Sequence, residues 1–116
     1  MYQKLIILGN LGGNPEMRFS ADAKPVTSFS VATSRKYKDK DETVWFKVTV
    51  WGNQAESCNQ FLTKGSKVLV EGRLTADEKG NPRVYERKDG TWAASYEVVA
   101  DNVRFLSGKA EEEVAL

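Results

Sequence analysis

Apolar and polar side chains alternate with period two along much of this chain, the pattern of half-buried strands. Tyr2 to Leu11 is apolar with interspersed polar positions and closes on Gly12-Gly13-Asn14-Pro15, a strong breaker. Met17 to Ser20 reads as a short continuation past that bend, and Ala21 to Pro25 as a turn. Val26 to Ser34, rich in Thr, Val, Phe and Ser, is a second strand. Residues 35–42 are too charged and aperiodic for a buried element and read as a long exposed connection. Thr43 to Trp51 is the clearest strand of all. Gly52-Asn53 then opens the one helical stretch, Gln54 to Leu62, with Ala55, Cys58, Phe61 and Leu62 on one face and Gly65 as the stop. That spacing packs Cys58 under the helix rather than exposing a reactive thiol. Ser66 to Thr75 is another strand, and residues 76–83 are a turn-rich excursion. Val84 to Arg87 and Thr91 to Ser95 flank Lys88-Asp89-Gly90 as a hairpin, and Tyr96 to Leu106 is the last long strand.

Five principal strands result, with a helix between the third and fourth and an extended β-hairpin between the fourth and fifth. This order predicts an all-β protein with one short helix, an OB-fold built as a five-stranded Greek-key barrel. The fallback is another small barrel or an α+β sheet. Residues 1–107 form the barrel domain and residues 108–116 a short acidic tail.

The third strand carries two distinct faces. Val44, Phe46, Val48 and Val50 make a core face. The opposite face mixes Trp45, Lys47, Thr49 and Trp51, and two large aromatics on a barrel exterior need a reason. Cover by a neighbouring element, a subunit interface, and a base-stacking platform all compete. The third accounts best for the intervening Lys47, because single-stranded nucleic acid offers flat π-faces and phosphates in alternation.

Composition narrows the chemistry. With 116 residues the chain is one domain, and with no His it lacks the commonest general acid/base and metal ligand. One Cys permits neither an internal disulfide nor a multi-cysteine metal site, and fits a reducing compartment. The Gly9 to Gly13 stretch runs into Pro15 rather than a phosphate-cradling Gly-Lys-Ser/Thr. No catalytic residue, metal or cofactor is expected. Nor does any segment approach a membrane helix or a secretion signal.

The net charge of +1 argues against a polycation but hides local clusters. Residues 35–40 place Arg35, Lys36, Lys38 and Lys40 around Tyr37 against one carboxylate. Residues 79–88 place Lys79, Arg83, Arg87 and Lys88 beside Tyr85, with Trp92 close behind, again against one carboxylate. Each cluster repeats the third strand's combination of cation and aromatic.

A family resemblance sharpens this. Ile6-Ile7-Leu8-Gly9-Asn10-Leu11-Gly12 with Asn14-Pro15-Glu16-Met17-Arg18 resembles the opening of bacterial-type single-stranded DNA-binding proteins. Val31-Ala32-Thr33-Ser34, Thr43-Val44-Trp45-Phe46-Lys47-Val48, Trp51-Gly52 and Ala55-Glu56 are similar in order and spacing. So are Leu62-Thr63-Lys64-Gly65-Ser66, Val70-Glu71-Gly72-Arg73-Leu74 and Ala100-Asp101-Asn102-Val103. The resemblance implies sequence-independent binding and protection of single-stranded DNA in replication, recombination and repair, by a homo-oligomer, commonly a tetramer. It places stacking aromatics at Trp45, Trp51 and Tyr37, with a fourth at Tyr85 or Trp92. The candidate phosphate contacts are Lys4, Arg35, Lys36, Lys38, Lys40, Lys47, Lys64, Arg73, Arg83, Arg87 and Lys88. It also implies that the first strand helps to pair subunits.

One departure lies at the C-terminus. Family members continue into a Gly/Pro/Gln-rich linker and an acidic tip ending in Pro-Phe, whereas this chain ends Glu111-Glu112-Glu113-Val114-Ala115-Leu116. Tail-mediated recruitment of replication and repair proteins is therefore not expected. The expected setting is the bacterial cytoplasm, at the nucleoid, or a phage or mobile element. The rival readings are a primosome-type OB module that uses its aromatics for protein contact, and an RNA-binding OB domain.

Overall fold

The alternating segments become seven strands and one helix in the computed structural model, which describes residues 1–106. In chain order these are β1 (Leu5–Leu11), β2 (Glu16–Phe19), β3 (Pro25–Tyr37), β4 (Lys40–Trp51), α1 (Asn53–Phe61), β5 (Lys67–Thr75), β6 (Arg83–Glu86) and β7 (Trp92–Phe105). Five strands follow one another around a barrel in the order β1-β5-β7-β4-β3. It closes where β3 returns to β1 through Asn10 opposite Ala32 and Leu11 opposite Val31. Every pairing is antiparallel except β4 with β7. The short β2 lies outside on β3, and β6 folds back on β7 as the hairpin between the fourth and fifth barrel strands. This is the predicted OB-type barrel.

A small barrel leaves its interior just wide enough for side chains, and valine fits such an interior well. Val31, Val48, Val50, Val68, Val70 and Val98 are fully buried there, packed with Ile7, Leu11 and Phe29. Helix α1 closes one end by burying Ala55 and Cys58. Thr27, itself buried, donates its hydroxyl to the Ala55 carbonyl at 2.6 Å. Cys58 packs where its helical spacing put it, and burial pushes its thiol pKa up to about 11. At the strand junction between β5 and β7 the register shifts at Gly72. Any side chain at Gly72 would run into the Val99 carbonyl, so the bend requires glycine.

Several expectations change. Residues 35–42 are not a loop: Arg35 to Tyr37 pair with Lys40 to Glu42 up to a two-residue turn at Lys38-Asp39. Both turn residues have positive φ, 48° and 65°, which matches the twist of a tight hairpin. Across this ribbon Arg35 pairs with Glu42 at 2.9 Å. Val44, expected in the core, is 39% exposed, because β4 joins β7 only from Phe46 onward. Phe61 is not packed inward but lies exposed against Phe105, their ring centroids 6.4 Å apart. Residues 16–19 do not extend β1 but pair with β3, and the last two predicted strands are one strand, β7. The tail read at 108–116 lies outside the described residues. Among the described residues no helix is long and apolar enough to cross a membrane.

Candidate nucleic-acid interface

Two ribbons overhang the barrel. Beyond Ala32 and Trp45, β3 and β4 pair only with each other, and before Tyr96, β7 pairs with β6. Because β4 and β7 run parallel, both ribbons leave the barrel at the same end. Trp45 stands where the first ribbon departs.

The outer face of the sheet is set by register. Ala32 lies opposite Trp45, Ser30 opposite Lys47, Ser28 opposite Thr49, and Val26 opposite Trp51. Small side chains on β3 beside large ones on β4 leave a trough. One hollow of about 490 Å³ runs from the β1–β2 turn, with Gly12 and Asn14, across Ser28 and Ser30 to Trp45 and Lys47. A second, of about 430 Å³, runs from Trp45 and Lys47 to Arg83, Tyr85, Ser95 and Glu97. Trp45 and Lys47 line both hollows. The indole is half exposed, as is the Tyr85 ring.

Charge in the second hollow is partly internal. Arg83 Nε lies 3.4 Å from Glu97 Oε2, and the Ser95 hydroxyl donates to the same oxygen at 3.1 Å. Lys47 has no carboxylate within ion-pair distance among the described residues. Lys64 reaches the first hollow indirectly: its backbone N–H donates to Asn14 Oδ1 at 2.8 Å, joining the α1–β5 loop to the β1–β2 turn.

The remaining sequence candidates spread more widely. Trp51 shares the outer face of β4 but lies six residues along it, about 20 Å from Trp45. Tyr37 is on the opposite face of its ribbon, with Arg35 5.5 Å and Lys38 5.4 Å from its ring centre. Lys36 shares the Trp45 face, while Lys38 and Lys40 sit at the ribbon tip. The register of β6 against β7 puts Tyr85 and Trp92 on opposite faces, since Tyr85 faces Ala93 and Trp92 faces Glu86. Arg87 and Lys88 occupy the turn of that ribbon, where Thr91 donates twice to Asp89 and holds its carboxyl below the usual range. Lys4 and Arg73 line neither hollow: Lys4 pairs with Glu71 at 3.5 Å, and Arg73 borders a cleft with Met1 and Gln3.

Ser28, Ser30, Asn14, Ser95 and Glu97 were not anticipated. Nor was Arg18, which faces Val26 from β2 in the row that ends at Trp51. A pairing signal placing β2 on β3 would have found Arg18, and the small outer-face residues of β3 marked the trough. Among the described residues no group of three His, Cys, Asp or Glu side chains could hold a metal ion. What the surface offers is flat rings half open to solvent with cations between them, suited to a flexible polyanion carrying unpaired rings.

Residues 2–106 match the single-strand binding protein family. The chain is 35% identical over 113 residues to a single-stranded DNA-binding protein of Neisseria meningitidis, covering 93% of this chain and 62% of that protein. It is 34% identical to single-stranded DNA-binding protein 1 of Xylella fastidiosa, covering 93% of this chain and 79% of that one. With a single-stranded DNA-binding protein of Clostridium tetani it shares 39% identity over 106 residues, 89% of this chain and 69% of that one. The chain thus spans less than two thirds of the length of its meningococcal relative.

Proposed function

The chain belongs to the single-strand binding protein family, and we propose that it binds and protects single-stranded DNA without sequence preference, in replication, recombination and repair. The observation that carries this reading is Trp45 and Lys47 standing between two hollows, faced across the second by Tyr85 and Arg83. Bases stack on Trp45 and Tyr85, and on Trp51 farther along β4. Phosphates meet Lys47 and Arg83, then the lysines and arginines of the ribbon tips. Duplex is rejected because paired bases cannot splay onto rings. The work is binding, with no bond made or broken. The domain is residues 1–107 and functions in the bacterial cytoplasm.

The protein acts as a homo-oligomer, a tetramer by family resemblance. The exposed Ile6 and Leu8 of β1 support a subunit contact there. Several subunits would let one strand of DNA engage several platforms.

The test is a titration with a labelled dT oligomer followed by anisotropy. Trp45→Ala is expected to lose about 5- to 150-fold in affinity, the equivalent of one base stack, with its salt slope unchanged. Poly(U) and duplex are expected to compete poorly with dT. A Trp45→Ala protein that binds like the parent refutes the platform, and equal competition by poly(U) favours an RNA-binding domain. Light scattering with and without oligomer reads the subunit number.

A further inference from the structure

Gly12 ends the first hollow, and its place beside Trp45 explains a glycine that backbone geometry does not. The positive-φ glycines are Gly52, Gly65, Gly80 and Gly90, so Gly12 adopts a conformation open to any residue. A methyl group at Gly12 would nevertheless stand 2.7 Å from Trp45 Cη2 and nearer still to Cζ3. At its neighbour Gly13 a methyl would meet nothing within 4 Å. The six-membered ring of the indole therefore lies against the bare backbone of Gly12.

The route is short. Trp45 faces Ala32 directly across the β3–β4 pair, and Ala32 in turn faces Asn10 on β1, two residues before Gly12. The indole crosses β3 beside that small side chain and comes to rest on the end of β1. The resting place is anchored. Gly12 donates its N–H to the Ser30 carbonyl at 3.0 Å. Leu11 bonds to the Ser66 carbonyl and accepts from the Gly65 N–H, both at 2.9 Å. Asn14 accepts from the Lys64 N–H at 2.8 Å. A side chain at position 12 would thus move the ring rather than the turn.

We propose that Gly12 is a positioning residue for single-stranded DNA binding: the space it leaves holds the Trp45 indole upright between the two hollows. This rests on the reading of Trp45 as a stacking ring. The residue touches the indole and acts on DNA through it.

A double-mutant cycle tests this, with dT affinity, urea unfolding and fluorescence as readouts. Gly12→Ala is expected to weaken dT binding at least about fivefold, the lower end of one stack. In a Trp51→Phe/Trp92→Phe background, where Trp45 is the sole tryptophan, it should also shift the emission and raise acrylamide quenching. In a Trp45→Ala background Gly12→Ala should leave affinity unchanged and should not destabilise the fold, because the ring it displaces is gone and the backbone there accepts alanine. That variant also keeps the test decisive if Gly12→Ala alone fails to fold. An equal loss from Gly12→Ala in both backgrounds overturns the inference, as does parental affinity with unchanged emission. A Trp45→Ala protein with parental affinity refutes the stacking role instead, and the emission arm still decides whether Gly12 places the ring.

Discussion

Tyr85 and Trp92 are seven residues apart on the same ribbon, and only one of them faces the Trp45 platform. The β6–β7 register sets Arg83 opposite Ser95, Val84 opposite Ala94, Tyr85 opposite Ala93 and Glu86 opposite Trp92. Facing residues project to the same side and successive residues alternate. Tyr85 therefore shares its side with Arg83 and lines the second hollow. Trp92 projects to the other side with Val84 and Glu86. Tyr85 is 49% exposed, so its ring has surface open for one base. One stack is worth about 1–3 kcal/mol, or about 5- to 150-fold in affinity. Tyr85→Ala should lose that much, and Trp92→Ala less than twofold although Trp92 is the larger and more exposed ring. Tyr85→Phe should retain most of the binding. Anisotropy of a labelled dT oligomer at fixed salt reads all three without depending on intrinsic tryptophan. Loss in Trp92→Ala with parental affinity in Tyr85→Ala would refute the assignment of faces.

Two further outcomes follow from the groove and the core. Lys47→Ala should make the slope of log affinity against log salt shallower by about 0.7, the contribution of one phosphate contact on a single strand, and a titration series in NaCl checks it. The Cys58 thiol, raised from 9.0 to about 11 by burial, favours the folded state while it stays neutral. That stabilisation is fully present below pH 9, where the unfolded thiol is also neutral, and is lost as pH rises toward 11. Urea unfolding at pH 8 and pH 10.5 should show a smaller fall in stability for Cys58→Ala than for the parent; equal falls would refute the burial effect.

The barrel was readable because its strands bury one face each. Val48 and Val50 announce themselves by alternation and end inside. The outer face of β4 was readable for the complementary reason, since Trp45 and Trp51 occupy positions that a solvated barrel would leave polar. Residues 35–42 were not readable as strand because a two-stranded ribbon beyond the barrel buries nothing, and without burial there is no apolar period. Phe61 follows helical spacing, but the barrel end under α1 closes over Ala55, Cys58 and Leu62 and leaves Phe61 outside. Tyr85 and Trp92 could not be separated because a face is decided by pairing register, which spacing from a turn does not determine. Gly12, Arg18 and Glu97 reach the surface around Trp45 and Trp51 only when β1, β2 and β7 are brought alongside β3 and β4.

That assembly also bears on the balance of charge and stacking in the proposed DNA-binding surface. Eleven basic residues stand out along the chain, and if each met a phosphate the salt slope would approach about −8. Three of them already have carboxylate partners: Lys4 with Glu71, Arg35 with Glu42 and Arg83 with Glu97. A phosphate that captures such a cation must displace a pair worth about 0–1 kcal/mol, and it meets the carboxylate left behind. Glu97 lines the same hollow as Lys47 and Tyr85 and is held there by Arg83 and the Ser95 hydroxyl, so a phosphate drawn to Arg83 must displace that pair. Trp45, Trp51 and Tyr85 are each about half exposed, so their rings offer open surface to a base. Two or three stacks at about 1–3 kcal/mol each add a contribution that salt does not screen. On the proposed reading rings and cations act together, and discrimination against duplex comes from the rings, which only unpaired bases can cover.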